Sequence, residues 1–594
     1  MSFIYDNLTA ICVALVASAV AWIYGGTNAP VIAPVMPWML LFMAEAVLLF
    51  PQKREGESTV AARERVWGAL KHDPLVWAAL ALMILLAIPF VNHCLCPVCD
   101  AARITDPGDT VPPVKFLPYC VNVVQHYHVF LWFATALLAL LAVRHGLRRR
   151  GRRVCLEIVV WNGFVLAIIG FVQIVGDAQG PLWHSLDMEA ANGDFFSTFG
   201  YPNMAGDYFT TLFGIAAALW RRSNDDVHQK LKANHNIVKN RYKMFWRRHY
   251  LLIPTAVFLV AAIYTFSRAA MLLVSLLALV YFIHTFRSFT HHMHRAERTK
   301  KGLVAMAVTA VIVFLGVIMF PERGREEFGT LDAYNVSERL TGKGQYHVRV
   351  ATSIWRDNFM FGCGGWGYKH FSLQKMREEA YEDYRDRYEA VRSEITALNE
   401  RIVALNERIS SFHAKKAASE ASADGEDAEA PEISAEALAS EESGLRLEQE
   451  EVERQRELLK GKKEKLDSDL TRAISSSLQM TGGANVHNDY LQFLAEHGLV
   501  GFALIVAIVW MLIAPVASSW RHLVQQLRFV KKPKLPPSPV QLFALPAPAF
   551  FILMTAVATF VHGFADCPLR SPAVLVLFFV SLASVPGFLP RDDE

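Results

Sequence analysis

The chain has 594 residues, of which 53% are hydrophobic, and its mean hydropathy is +0.24. Its net charge is only +3, and Lys and Arg gather in alternate loops, so nucleic acid is not the implied partner. A helix that crosses a bilayer needs about 20 apolar residues, and the chain contains many apolar runs of that length. We therefore predict a polytopic helical membrane protein surrounded by membrane lipids.

The apolar runs predict about twelve transmembrane helices in an all-α bundle. They cover residues 8–27, 31–50, 74–92, 126–144, 154–176, 202–220, 250–266, 268–286, 302–320, 490–515, 541–562 and 571–589. Small residues such as Gly163, Gly170 and Ala216 are expected where these helices pack closely. Residues 1–6 lack the basic start of a secretory signal, so the first run is predicted to remain as an uncleaved helix.

The basic loops predict the topology. Loops rich in Lys and Arg are 51–73, 144–153, 221–249, 287–301 and 517–540. Such loops favour the cytoplasmic side of a membrane, and counting the spans alternately then places both termini in the cytoplasm. The loops 93–125 and 177–201 and the large segment 321–489 lie on the opposite side.

Four cysteines fall in the first of these outer loops. They are Cys94, Cys96, Cys99 and Cys120. Disulfides persist outside the cytoplasm, so pairing within the loop is the favoured interpretation. Zinc binding is the alternative, although the spacing lacks the second well-spaced pair that is typical of zinc sites.

Two polar interruptions stand next to predicted spans. In the segment Phe196–Asp207, Pro202 and Asn203 suit the start of a helix. Further on, Ser267 and Arg268 interrupt an apolar stretch, residues 250–281, that is too long for one ordinary span. We predict a tight helical hairpin with Arg268 at its outer turn. Snorkelling of this arginine to the lipid headgroups is the alternative.

A helical apolar pattern at 345–355 carries Arg349 and Trp355 and leads into a glycine-rich turn at 357–371. This turn fits neither of the glycine motifs that are typical of nucleotide-binding loops. We therefore expect no nucleotide at this turn, and no cofactor is predicted for the chain.

Residues 373–480 are rich in Glu, Lys, Arg and Ala and contain two apolar seams. The first seam is Ile395, Leu398, Ile402, Leu405, Ile409 and Phe412, and the second is Leu438, Leu445, Val452, Leu459 and Leu466. Two such seams joined by a polar connector predict an antiparallel coiled-coil hairpin. Its charged faces are interpreted as solvated surface and only secondarily as a docking site.

The segment Asn485–Gly501 places ionisable groups directly before a long apolar run. A charged side chain at bilayer depth costs about 2.5–3.5 kcal/mol, so these groups must face water or protein. His487 is interpreted as functional. For Asn488, Asp489 and Glu496, a structural role as a helix cap or a snorkelling side chain is as good an interpretation as a role in chemistry.

The last two predicted spans are joined by the segment Phe560–Pro572. Asp566 and Arg570 in this segment are candidates for an ion pair. His562 and Asp566 are interpreted as satisfied polar groups at a helix end.

These segments together resemble O-antigen ligases and related Wzy-type polymerases. The resemblance rests on the run from His487 to Gly501, the Thr-Phe-Gly-Tyr-Pro-Asn element, the Thr-x-Ser-Arg motif, the Arg, Trp and Gly-x-Gly elements of the large loop, and the closing His-x-x-x-Asp-x-Pro-Leu element. It covers roughly Phe196 to Pro572, and the coiled-coil arm departs from it. By resemblance the catalytic residues are His487, Arg268 and Arg349. The residues expected to contact substrate are Asn488, Tyr490, Asn203, Trp355 and Arg570, and no metal is expected.

The resemblance implies transfer of a glycan from an undecaprenyl-diphosphate carrier to an acceptor hydroxyl, such as that of lipid A-core, at the periplasmic face of the bacterial inner membrane. Arginine holds diphosphate oxygens bidentately, and histidine can accept the hydroxyl proton. The resemblance leaves open a polymerase or a protein O-oligosaccharyltransferase. A transporter is the alternative of another class, although no internal repeat is found.

The predicted organisation has four parts. They are transmembrane helices 1–9 (1–320), a periplasmic helix and glycine-rich turn (321–372), the coiled-coil hairpin (373–480) and transmembrane helices 10–12 (481–594).

Overall fold

The computed structural model describes residues 7–23, 25, 33–54, 56–93, 114, 116–182, 195–233, 249–290, 343–423, 435–480, 486–530 and 545–589. The regular structure of these residues is helical, with two isolated β-bridges and no β-strand. The α-helices are α1 (Leu8–Trp22), α2 (Met36–Leu49), α3 (Thr59–His72), α4 (Pro74–Ala87), α5 (Val123–Leu141), α6 (Arg149–Val175), α7 (Pro202–Ala233), α8 (Leu252–Tyr264), α9 (Arg268–Thr290), α10 (Lys343–Asp357), α11 (Gly367–Ala423), α12 (Ala435–Met480), α13 (Asp489–Val530), α14 (Ala547–Ala565) and α15 (Pro572–Ser584). The predicted all-helical class is therefore confirmed for the described residues.

Five helical segments among the described residues are long and apolar enough to cross a membrane. They are Val123–Gly146, Arg149–Val175, Arg268–Phe286, Asp489–Ser518 and Ala547–Ala565. The pair Thr59–His72 and Pro74–Phe90 passes the same test as one span bent by 68°. Shorter apolar helices are α1, α2, α8 and the segment Pro572–Phe588. Several apolar helices indicate a membrane-embedded protein, whereas the count of about twelve spans stays a prediction. The predicted span 302–320 lies outside the described residues.

The chain divides into two compact units, the first made of residues 1–368 and 485–594 and the second of residues 369–484. In the first unit α7 packs against α6, α8, α9, α14 and α15. Its side chains Tyr208, Phe209 and Leu212 are fully buried. Gly163 of α6 faces Leu212 so closely that a Cβ there would overlap it, which confirms the predicted close packing at this glycine.

The predicted break between two helices at Ser267 and Arg268 is confirmed, whereas the outer position of this turn stays a prediction. Helix α8 ends at Tyr264 and α9 begins at Arg268. Ser267 is buried in the turn, and its hydroxyl oxygen accepts the N–H of Ala270 at 3.3 Å, as a helix-capping serine does. Two helices thus replace the single over-long apolar stretch.

The second unit consists of the main part of α11 together with α12. Leu398, Leu405 and Phe412 of α11 form one buried cluster with Leu445, Val452 and Leu459 of α12. Ion pairs join Arg408 to Glu448 (2.7 Å), Lys416 to Glu442 (3.0 Å) and Glu394 to Lys462 (3.3 Å). Partners with rising numbers on α11 have falling numbers on α12, so the two helices run antiparallel.

Candidate functional site

His487 lies in the short turn before α13, and its imidazole meets the carboxylate of Asp566 just after α14. Nδ1 of His487 is 3.3 Å from Oδ1 of Asp566. The His487 side chain is 54% exposed, whereas that of Asp566 is only 6% exposed. The pair therefore presents an imidazole to the surface and holds an acid behind it.

Asp566 is surrounded by hydrogen-bond donors. Tyr201 donates its hydroxyl to Oδ2 at 3.0 Å, the backbone N–H of Cys567 donates to Oδ1 at 2.8 Å, and the Asn203 amide also donates to Oδ2. Burial raises the pKa of Asp566, but the hydrogen bond and charge of His487 and the bond from Cys567 outweigh it, so the net pKa lies below the usual 3.8. The carboxylate is thus ionised at neutral pH. An ionised carboxylate at Nδ1 favours the tautomer in which Nδ1 carries the proton and Nε2 is the basic nitrogen.

A row of buried, hydrogen-bonded side chains continues from Asp566 into the bundle between α7 and α14. We call this row, which consists of Asp207, His562, Thr559 and Thr211, the polar ladder. His562 Nδ1 lies 3.0 Å from Oδ1 of Asp207, and both side chains are at most 1% exposed. Thr559 donates its hydroxyl to Oδ2 of Asp207 at 3.0 Å and also contacts the Thr211 hydroxyl at 3.2 Å. Asn203, Asp207 and Thr211 are spaced four apart on α7, so one face of this helix forms the ladder.

Asn488 and Tyr490, both predicted to contact substrate, make contacts with the protein itself. Asn488 Oδ1 accepts the backbone N–H groups of Tyr490 (3.1 Å) and Leu491 (3.0 Å), which is an N-cap of α13. Its amide donates to the carbonyl of Phe564 at 3.2 Å, and the Tyr490 hydroxyl donates to the carbonyl of Phe560. These contacts join the start of α13 to the end of α14 and so hold His487 beside Asp566.

The glycine-rich turn docks on α13 where that helix is interrupted at Gly498, whose backbone is non-helical (φ +64°). Four backbone hydrogen bonds make this contact. They run from Cys363 to Ala495 (3.0 Å), Gly364 to Glu496 (2.8 Å), Leu499 to Phe359 (3.0 Å) and Val500 to Met360 (3.1 Å), donor first. A Cβ at Gly498 would overlap the Met360 carbonyl, and one at Gly362 would overlap the backbone at Glu496. The glycines therefore serve close backbone approach.

Helix α10, which leads into this turn, lies next to the His487 turn. The His347 and His487 rings are 6.1 Å apart, and His347 also contacts the Tyr368 hydroxyl at 3.2 Å. Arg349 is exposed two residues further along α10. Trp355, predicted to contact substrate, donates its indole N–H to the carbonyl of Phe359 at 3.2 Å.

Arg570 does not pair with Asp566 in the structure. It donates to the buried carboxylate of Glu496 at 3.0 Å, and its guanidinium lies 4.5 Å from the centre of the Trp366 ring. Only 11% of the Arg570 side chain is exposed. This arginine therefore joins the glycine-rich turn to α13. Its contact with substrate stays a prediction.

Arg268 begins α9 at the α8–α9 turn, which packs on the first turns of α7. A Cβ at Gly206 would overlap Ala270 and lie 3.0 Å from Ser267. Gly206 is followed by Asp207 and stands three residues after Asn203, whose amide contacts Asp566. Gly206 packs on the turn that carries Arg268, and Asn203 on the same helix contacts Asp566, the partner of His487. The Arg268 turn therefore lies at the same end of the bundle as His487.

Sequence reasoning missed the partnership of His487 with Asp566 and the role of Tyr201. It did note His562 and Asp566 as satisfied polar groups, and the hydrogen bonds to Asp207, Tyr201 and Asn203 agree with that interpretation. The sequence signal that could have found this pair is a histidine just before one apolar helix, α13, and an acid just after another, α14.

The fold and site together define a membrane-embedded helical protein with an exposed histidine held by a buried acid at the ends of two apolar helices. Comparison with known proteins found no matching family model, no similar curated protein and no similar solved structure.

Proposed function

We propose that this protein is an O-antigen ligase-like glycosyltransferase that moves a glycan from an undecaprenyl-diphosphate carrier to an acceptor hydroxyl. The observation that carries this proposal is the contact between the half-exposed His487 and the buried Asp566. A histidine oriented by a carboxylate is a suitable general base for a hydroxyl nucleophile. The sequence resemblance supports the choice of donor.

In the proposed reaction, the acceptor oxygen attacks the anomeric carbon of the donor glycan. The new C–O bond forms as the bond from this carbon to the phosphate oxygen breaks, and its electron pair leaves with the lipid diphosphate. The hydroxyl proton passes to His487, and the ionised Asp566 stabilises the resulting imidazolium. General base catalysis of this kind contributes about 10²–10⁴ in rate.

Arg268 and Arg349 are proposed to hold the diphosphate and stabilise its departing charge. Guanidinium groups bind phosphate oxygens bidentately, and they remain charged at any working pH. The α8–α9 turn and the packing of α10 beside His487 support this assignment. No metal or other cofactor is required in this scheme.

The proposal includes the finer topology. The bundle has about twelve spans, both termini are cytoplasmic, and His487 faces the periplasm from the bacterial inner membrane. Residues 373–480 form a coiled-coil hairpin within the large periplasmic loop. Cysteine labelling from outside intact spheroplasts tests this topology. A cysteine introduced near His487 should be labelled, whereas one introduced in the 221–249 loop should not.

A deletion strain tests the function and identifies the acceptor. Loss of polymer from the surface lipid with accumulation of lipid-linked polymer indicates a ligase, whereas single repeats on the surface lipid indicate a polymerase. Unchanged glycans with altered solute uptake would instead indicate a transporter.

Complementation with variants tests the mechanism. His487→Ala and Arg268→Ala are each expected to abolish transfer while the membrane level of the protein stays normal. Asp566→Asn is expected to reduce transfer by a factor within about 10²–10⁴, because it removes the charge that stabilises the imidazolium. His413→Ala, an exposed histidine of the second unit, is the control and should complement fully. Undiminished product from His487→Ala would contradict the assignment.

A further inference from the structure

Cys567 completes a set of three metal-ligating side chains with His487 and Asp566. One donor atom from each residue lies within 4.8 Å of the other two. Nδ1 of His487 is 3.3 Å from Oδ1 of Asp566, and Sγ of Cys567 is 3.5 Å from the same oxygen. The glycosyl transfer proposed above uses the imidazole and the carboxylate but leaves the thiol without a role.

The two separations that involve Oδ1 of Asp566 match those of a tetrahedral zinc site. Zinc binds imidazole nitrogen and carboxylate oxygen at about 2.0–2.2 Å and thiolate sulfur at about 2.3 Å, so its donors lie about 3.3–3.6 Å apart. Two of the three pairs already have this spacing. A divalent cation therefore needs little rearrangement of the side chains to be bound.

The charges also suit a divalent cation. Asp566 supplies one negative charge, and the cation's own field favours loss of the Cys567 proton, which supplies the second. The resulting complex is neutral with a neutral imidazole, and a neutral complex avoids the cost of burying net charge. The exposed ring of His487 provides the approach from solvent.

We propose that a zinc-class divalent cation binds reversibly to His487, Asp566 and Cys567 and blocks glycosyl transfer. A cation on Nδ1 displaces the hydrogen bond to Asp566 and leaves the proton on Nε2, so the imidazole no longer accepts a proton. The inhibitory part rests on the proposed function, whereas the binding site itself does not.

Cobalt(II) titration of the full-length protein in detergent tests the site without reference to activity. The background carries serine at Cys94, Cys96 and Cys99, which removes the other cysteine cluster. We expect intense tetrahedral d–d bands and a thiolate-to-cobalt charge-transfer band. Cys567→Ser should lose the charge-transfer band and weaken cobalt binding by more than about 100-fold, since loss of even an outer partner costs about 10–100-fold. Cys363→Ser, another buried cysteine, is the control and should retain both.

Zinc inhibition of transfer provides the second measurement. Zinc should inhibit the protein, EDTA should restore it, and Cys567→Ser should need more than about 100-fold more zinc, relative to its own metal-free rate. A cobalt spectrum that is octahedral, or unchanged in Cys567→Ser, overturns the site. If Cys567→Ser does not fold, His487→Gln removes an exposed ligand and should weaken cobalt binding by more than about 100-fold, and unchanged binding overturns the site. A tetrahedral spectrum in a protein without transferase activity would support the site and contradict the proposed function.

Discussion

His487 owes its position to contacts on both sides of it in the chain. Its backbone has φ +52°, a left-handed conformation that costs about 1–3 kcal/mol for residues with a Cβ. On one side, Val486 donates its N–H to the side chain of Gln492 at 3.0 Å. On the other, Asn488 caps α13 and contacts Phe564. These contacts offset the strain and turn the imidazole toward Asp566.

The pKa of Asp566 predicts a specific loss of stability in acid. Because the folded-state pKa is below 3.8, the ionised carboxylate stabilises the native protein above that pH. This contribution is lost as pH falls below 3.8 and through the folded-state pKa. Thermal melts in detergent from neutral to acid pH should therefore show Asp566→Asn losing less stability than wild type over this window. Parallel melting curves for the two proteins would contradict the prediction.

The contact between α7 and α14 includes a few buried polar groups within an otherwise apolar bundle. A buried hydrogen bond gives only modest net stability, but removal of one partner leaves the other buried without a hydrogen bond. Since the ladder of Asp207, His562 and Thr559 leads to Asp566, we infer that it fixes the rotation of α14 and thereby the orientation of the acid.

A double-mutant cycle tests the ladder. Asp207→Ala and His562→Ala should each reduce the free energy of unfolding by about 1–3 kcal/mol, because each leaves a buried polar group without its hydrogen-bond partner. The double variant should lose less than the sum, because neither side chain of the Asp207–His562 pair is then left without the other. The measurement is the thermal or denaturant unfolding of the purified protein in detergent. Additive losses would show that the two side chains do not act as a pair.

The break in α13 depends on the absence of a side chain at one position. Gly498→Ala should destabilise the protein by about 1–3 kcal/mol through its positive φ alone, and the overlap with Met360 should add to this loss. The variant should therefore also reduce transfer. Gly461→Ala is the matched control: nothing lies within 4 Å of the added methyl group, and alanine favours helix by about 1 kcal/mol. Melting temperature and transfer rate are measured for both. Equal stability of the two variants would contradict the docking role of Gly498.

On the scale of the whole molecule, each of the two units contains a hydrophobic cluster among its described residues. The first contains the apolar helices of unit one, and the second is the seam between α11 and α12. Small residues allow close helix packing at Gly163 in the first cluster, whereas large apolar residues spaced along α11 and α12 form the second.

Two neighbouring residues of α11 test the second cluster. Leu405 is 4% exposed and Val403 is 58% exposed. Leu405→Asp should raise amide hydrogen exchange throughout residues 384–423 and 435–469, because it buries a charge in the seam. Val403→Asp should leave exchange unchanged. Similar protection in both variants would exclude the seam as the source of stability.

Much of the local structure could be predicted because it depends on periodicity and on single interruptions. The apolar seams of residues 395–412 and 438–459 and the turn at Ser267 are features of this kind, and no long-range contact is needed to see them. The site could be predicted only in part. His487 stood out, whereas Arg570 was expected near Asp566 and pairs with Glu496.

The sequence alone therefore determined the helical membrane class, the position of the hairpin turn and the residues of the seams, since these follow from the spacing of apolar side chains. The tertiary structure decided that Asp566, 79 residues after His487, is the acid that holds it. It also decided that the glycine-rich turn docks at Gly498. The physical reason is that the rotation and depth of packed helices depend on contacts between distant segments, which a one-dimensional pattern does not specify.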